Sequence, residues 1–100
     1  MKYLVINKGP RGSYADIPLS ALQATKEWFK ALRTNGTADC IYSFVTKGGM
    51  AVLNANSHEE VMKILRAGPG WGFNEIEVHV LCDVGQSMDA LIETRQKASK

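Results

Sequence analysis

An α+β fold of the split βαβ type is what this 100-residue chain predicts, and three observations lead there. Short β-branched runs and amphipathic segments alternate in the order strand, helix, strand, strand, helix, strand, helix. The second and third strand runs are separated only by Thr46-Lys47-Gly48-Gly49, a hairpin signal. Ser57-x-x-Glu60 is a capping box that opens the second helix. Together they give a ferredoxin-like βαββαβ unit with an added C-terminal helix, filling residues 1–100 as a single domain.

Each element has its own warrant. KYLVIN (2–7) is rich in β-formers and ends at Gly9-Pro10, so it reads as a strand followed by a loop, GPRGSYAD. From about Pro18 to Thr34, Leu22, Thr25, Phe29 and Leu32 recur at helical spacing. Ala21 and Trp28 widen that face, and Asn35-Gly36 supplies a left-handed stop. ADCIYSFV (38–45) and MAVLNA (50–55) are the hairpin strands. The second helix runs to Arg66 with Val61, Ile64 and Leu65 inward, and Pro69 stops it. Residues 75–82 form the fourth strand, and a segment from about Gln86 with Met88, Leu91 and Ile92 forms the last helix.

The strands carry apolar residues on both faces. Leu4 and Ile6 alternate with Tyr3 and Val5; Ile41 and Val45 alternate with Cys40, Tyr42 and Phe44; Met50 and Val52 alternate with Ala51 and Leu53. Two crossover helices cover one sheet face only. The other face needs a second cover, either a second copy of the chain or the C-terminal helix folded back. A homo-oligomer, at least a dimer, is the more economical solution.

Composition removes several function classes. Net charge is +2, too small for a nucleic-acid-binding face. Lys47-Gly48 resembles the start of an RNA-binding motif, but the stacking positions hold Gly49, Ala51 and Asn54. No apolar stretch is long enough to span a membrane, and the N-terminus lacks a signal-peptide layout. Cys40 and Cys82 have no metal or CxxC spacing, which predicts free thiols and a cytoplasmic location. No metal or organic cofactor is expected, because neither ligand spacing nor a nucleotide motif is present.

Candidate site residues are few. Glu77 and His79 lie two apart on one strand and so project together. A carboxylate beside an imidazole can hold its tautomer and raise its basicity, as proton transfer requires. The plain alternative is a solvated edge pair. Tyr3 and Tyr42 could donate phenolic hydrogen bonds to a ligand, although strand tyrosines are commonly core residues. Arg11 and His58 read as solvent-facing. In AGPGWGF (67–73), glycines surround Trp71 and Phe73, which line either a pocket mouth or a permanent plug; the pocket mouth is the expectation.

Helix-one KEWFKALRTNGT, the hairpin, the SxEE box and Pro69 followed by Ile76-Glu77-Val78 and Leu81-Cys82 resemble muconolactone Δ-isomerase, nearly without gaps from Lys26 to about Cys82. The resemblance implies a dimeric α+β barrel, in which two sheets pack face to face. It also implies cofactor-independent isomerisation of a small anionic lactone by proton transfer. Glu77 matches the family's IEV glutamate, and Lys26-Glu27 matches a helix-one pair. Where the family's enzymes carry ionisable side chains on the first strand and basic ones on the second, this chain has Leu4 and Ile6, then Asp39 and Ser43. The expectation is therefore an isomerase of a small lactone or aromatic-derived molecule. The alternatives are a polyketide-type cyclase or cofactor-free monooxygenase of the same barrel, or a non-catalytic small-molecule-binding protein.

Overall fold

β1 (Lys2–Pro10) is the strand around which the sheet is built, hydrogen-bonded on one side to β3 (Gly49–Asn54) and on the other to β4 (Asn74–Leu81). The computed structural model describes residues 1–98. β2 (Ala38–Ser43) completes the sheet beyond β3, so the order is β2-β3-β1-β4 and every neighbouring pair is antiparallel. This is the ferredoxin-like order expected from the alternation of elements. α1 (Leu19–Thr34) and α2 (His58–Arg66) make the crossovers, and α3 (Val84–Ala98) follows β4.

Register fixes which residues share a face. Tyr3, Val5 and Asn7 stand opposite Leu53, Ala51 and Gly49 on one side and Val80, Val78 and Ile76 on the other. This is the helix side. Tyr3, Val5, Leu53 and Ala38 are buried there with Leu32 of α1 and Val61 and Leu65 of α2. Leu4 and Ile6 face the other way, beside Val52 and Met50 of β3 and His79 and Glu77 of β4. No element of the described chain covers that open face.

Element ends shift by a residue or two, as strand and helix ends fray. β1 continues through Gly9-Pro10, with a register shift against β4 between Asn7 and Pro10. The segment expected to be loop contains a short 3₁₀ turn, Tyr14–Asp16, capped by the Ser13 side chain. Phe44 and Val45 leave β2, and Val45 is fully exposed rather than part of a strand face. The turn between β2 and β3 requires glycine at position 48. There φ is +81°, and a Cβ would lie 2.0 Å from the Asn7 carbonyl oxygen. Half of the predicted capping box at Ser57 forms: Ser57 Oγ accepts from the Glu60 N–H at 3.1 Å, but the Glu60 carboxylate accepts from the Asn56 N–H at 3.0 Å rather than from Ser57.

α3 is the larger surprise. The alternative in which it folds back over the sheet is not realised. All of its described residues are exposed, and the molecule extends 61 Å in one direction against 28 and 23 Å in the others.

The helix-side core sets stability. Leu53 is 2% exposed at its centre, so Leu53→Ala should lower unfolding free energy by about 2–5 kcal/mol. The denaturant midpoint should fall while the slope of the transition is unchanged, as measured by urea titration.

Candidate functional site

The helix face of α1 is only half packed. Leu32 and Trp28 close on the core, but Leu22 is exposed and Phe29 half-buried. The reason lies beneath them. Between α1, the sheet and the 67–73 segment is a cavity of about 610 Å³, whose walls include Leu22, Thr25, Phe29, Val5, Ile41 and Ile76. Residues selected for burial in the sequence thus line a void instead of filling a core. Volumes of about 300–1,000 Å³ are typical of small-molecule sites.

Two features shape the cavity end. Gly68 lies against the Trp28 indole, where a Cβ would come within 2.8 Å of the ring. Only glycine lets the chain leaving α2 pass this close. Trp71 then borders the cavity while remaining 39% exposed, held in a tight turn by its N–H to the Gly68 carbonyl at 3.1 Å. Asn74 locks the same turn, donating from Nδ2 to the Gly70 carbonyl at 2.9 Å.

The charged residues among the cavity walls are of one sign, and each is solvent-exposed. Lys26, Lys30 and Arg33 on α1 are among its walls, and no aspartate or glutamate is. Their spacing of four and three residues puts them on one stripe of the helix. Tyr14 Oη accepts from the Gly48 N–H at 3.3 Å, which leaves its own proton free to donate. Asn7 accepts from the Gly9 N–H through Oδ1 at 2.8 Å, so its amide NH₂ is the group left to meet a ligand. Sequence reasoning missed these residues, apart from Lys26, which the resemblance had matched to a helix-one pair. The stripe was legible as spacing on α1, but Tyr14 lies in an irregular segment with no periodicity.

The sequence-derived candidates fall in three places. Trp71 borders the cavity; Tyr42 touches its edge but stands opposite Met50, on the open side of the sheet, and is 67% exposed. Phe73 is not among the cavity walls; its carbonyl accepts from the Arg11 N–H at 3.1 Å and so ties the two loops together. Tyr3 is a core residue at 1% exposure, and its hydroxyl meets His58 Nδ1 at 2.9 Å. Glu77 and His79 do project together, with Oε2 and Nε2 at 3.0 Å, but on the open face, across the sheet from the cavity. Lys8 Nζ stands 3.5 Å from the other oxygen of Glu77.

The hydrogen bond from His79, with the Lys8 charge adding to it, holds the Glu77 carboxyl below its ordinary value. On the same face, Lys2 and Asn54 hydrogen-bond Asp39 and lower its pKa likewise. Among the described residues no group of three or more His, Cys, Asp or Glu is close enough to hold a metal ion. No helix among them is long and apolar enough to cross a membrane.

Against solved structures the fold has clear counterparts. Muconolactone isomerase superposes with a TM-score of 0.71 at 23% identity, over 83% of this chain and 90% of that one. The fold is that of muconolactone isomerase. A 5-chloro-2-hydroxyhydroquinone dehydrochlorinase from Burkholderia phenoliruptrix AC1100, solved with 2,5-dihydroxybenzoquinone, superposes with a TM-score of 0.70 at 14% identity, over 86% of this chain and 98% of that one. No family model matches the sequence, and no curated protein matches it. The muconolactone isomerase-like fold is thus held by the arrangement of strands and helices across low sequence identity.

The Glu77 cluster makes a pH prediction. A depressed native pKa means that the folded state releases the proton more readily than the unfolded chain. The stability it contributes is present above the ordinary value of 4.5 and is lost as pH falls through the lowered native value. Carboxyl NMR titration should give Glu77 a midpoint below 4.5, and His79→Ala should move it upward.

Proposed function

We propose that this chain transforms a small cyclic organic anion in the cavity beneath α1, by proton transfer and without a cofactor, as an isomerase-like enzyme. The observation that carries this reading is the cavity's composition: apolar and aromatic walls, three cations and no carboxylate. An apolar ring would lie against Phe29, Ile41 and Trp71. Its anionic group would be drawn to the α1 stripe, where a low-dielectric wall strengthens the attraction. The likeness to muconolactone isomerase and to the dehydrochlorinase supports a small-molecule substrate. Tyr14 is the group placed to give a proton to the bound ring, and Asn7 to orient it.

A second reading rests on a different observation, the 3.0 Å Glu77–His79 pair. That pair is also built for proton transfer, but it would act on the open face, inside any barrel formed there. The two readings separate by mutation. With a lactone carboxylate or a hydroxylated quinone as substrate, Tyr14→Phe should lower turnover about 10²-fold. Trp71→Ala should weaken binding while leaving the melting temperature nearly unchanged. His79→Ala should leave turnover intact. The reverse pattern, loss in His79→Ala and not in Tyr14→Phe, assigns the chemistry to the open face.

The open face supports self-association. Leu4, Ile6, Met50 and Val52 form an apolar centre, and two polar clusters stand beside it: Lys2 with Asp39 and Asn54, and Lys8 with Glu77 and His79. An apolar centre with a charged rim is the anatomy of a protein interface. Packing against the same face of a second copy would complete a dimeric α+β barrel. Sedimentation at micromolar concentration should give at least twice the 11.0 kDa chain mass. A monomer that persists at that concentration counts against the barrel.

A further inference from the structure

The cavity beneath α1 is longer than one ring. Part of its floor is the helix side of the β2–β3 hairpin, where the register sets Ile41 opposite Ala51 and Ser43 opposite Gly49. Serine, alanine and glycine are small, so this floor is low, and Phe29 of α1 borders a gap instead of a packed partner. Floor and helix give two independent lengths. Along β3 the lining runs from Gly49 to Leu53, about 14 Å at the rise of a strand. Along α1 it runs from Leu22 to Arg33, about 16 Å at the rise of a helix. A single substituted ring, built from bonds of about 1.5 Å, covers roughly half of that. The end at Leu32 and Leu53 is closed and apolar, these residues being 8 and 2% exposed. The end at Gly49 carries Asn7 and Tyr14, its hydrogen-bonding side chains.

We propose that this cavity takes a flat anion of two or three fused rings, held between the Ala51–Gly49 floor and Phe29, with its carboxylate or phenolate at the α1 cations. The proposal rests on the reading of this cavity as the substrate site and sets the size and shape of the substrate within it. A planar ring system suits a gap with small side chains on one wall and an aromatic ring on the other, where offset stacking on Phe29 adds to burial. Each further ring removes from water apolar area that a monocyclic acid would leave uncovered. Charge agrees with this occupant. Lys26, Lys30 and Arg33 lie on the solvent side of α1, and none has an ion-pair partner among the described residues. Like charges about one turn apart repel each other, and a bound anion relieves that repulsion. The same rings would find no such slot on the open face, where Glu77 and Asp39 add carboxylates.

The test is calorimetric titration of the full chain at neutral pH with benzoate, 2-naphthoate and anthracene-2-carboxylate. The second ring should tighten binding about tenfold, and the third should not weaken it. The neutral 2-naphthamide should bind about fivefold more weakly than 2-naphthoate. Ala51→Leu raises the floor, and Ser43→Phe narrows the slot from an exposed position where the fold is not at stake. Either should cut the gain from benzoate to 2-naphthoate to about threefold or less. A 2-naphthoate that binds no tighter than benzoate overturns the fused-ring proposal and leaves the cavity standing as a site for a smaller anion. A gain untouched by both variants puts the binding elsewhere and overturns it too. Equal binding of 2-naphthamide and 2-naphthoate overturns the anion reading itself, and this proposal with it. Because turnover is not measured, a failure of the proton-transfer chemistry would leave these outcomes unchanged.

Discussion

The position of β1 is the constraint on which the rest depends. It is bonded on both sides, so its period-two alternation is imposed on β3 and β4 through the register. Tyr3 and Val5 commit one face to the helices, and Leu4 and Ile6 commit the other to whatever lies outside the chain. A one-residue slip of β4 would turn Glu77 and His79 to the helix side. The apolar residues on both sides of this one strand explain a protein that is well packed on one face and unfinished on the other.

The cavity follows from how the helix layer is spaced. α2 and α1 close on Tyr3 and Leu53 through Leu65, Val61 and Leu32, yet α1 borders the cavity along most of its length, from Leu22 to Arg33. Filling the gap would strengthen the core, since voids forgo dispersion contacts. The chain keeps it open instead, with Gly68 letting the backbone pass Trp28 and the 68–71 turn setting Trp71 at the rim. Leu22, Thr25 and Phe29 are consequently wall residues although their spacing is that of a core face.

Charge is divided between the two sides of the sheet. The α1 cations border the cavity without a neutralising carboxylate, whereas Asp39 and Glu77 are engaged on the open face by Lys2 and by Lys8 and His79. Exposed pairs of this kind contribute little to folding. Their greater effect is to leave the cavity field positive and to border the apolar open face with satisfied polar groups. The two candidate sites therefore differ in chemistry: one attracts an anion, and the other holds an imidazole against a carboxylate.

Much of the fold was legible in the sequence, because it rests on local signals. The β-branched runs, Ser57-x-x-Glu60, the TKGG turn and the Asn35-Gly36 stop act over a few residues, and together they determine the βαββαβ order and the two apolar faces. The same-strand pairing of Glu77 with His79 was equally legible, since period two alone puts them on one side. Which side that was, only the tertiary structure decided, because it depends on where the helices lie. The sequence pattern also could not foresee a cavity: Phe29 and Leu32 share a helix face and both border it, but only Leu32 is also buried in the core. Tyr14 and Gly48 meet across 34 residues, and α3 leaves the body although its amphipathic pattern suits a packed helix. Such outcomes are set by long-range geometry, which composition and spacing do not encode one segment at a time.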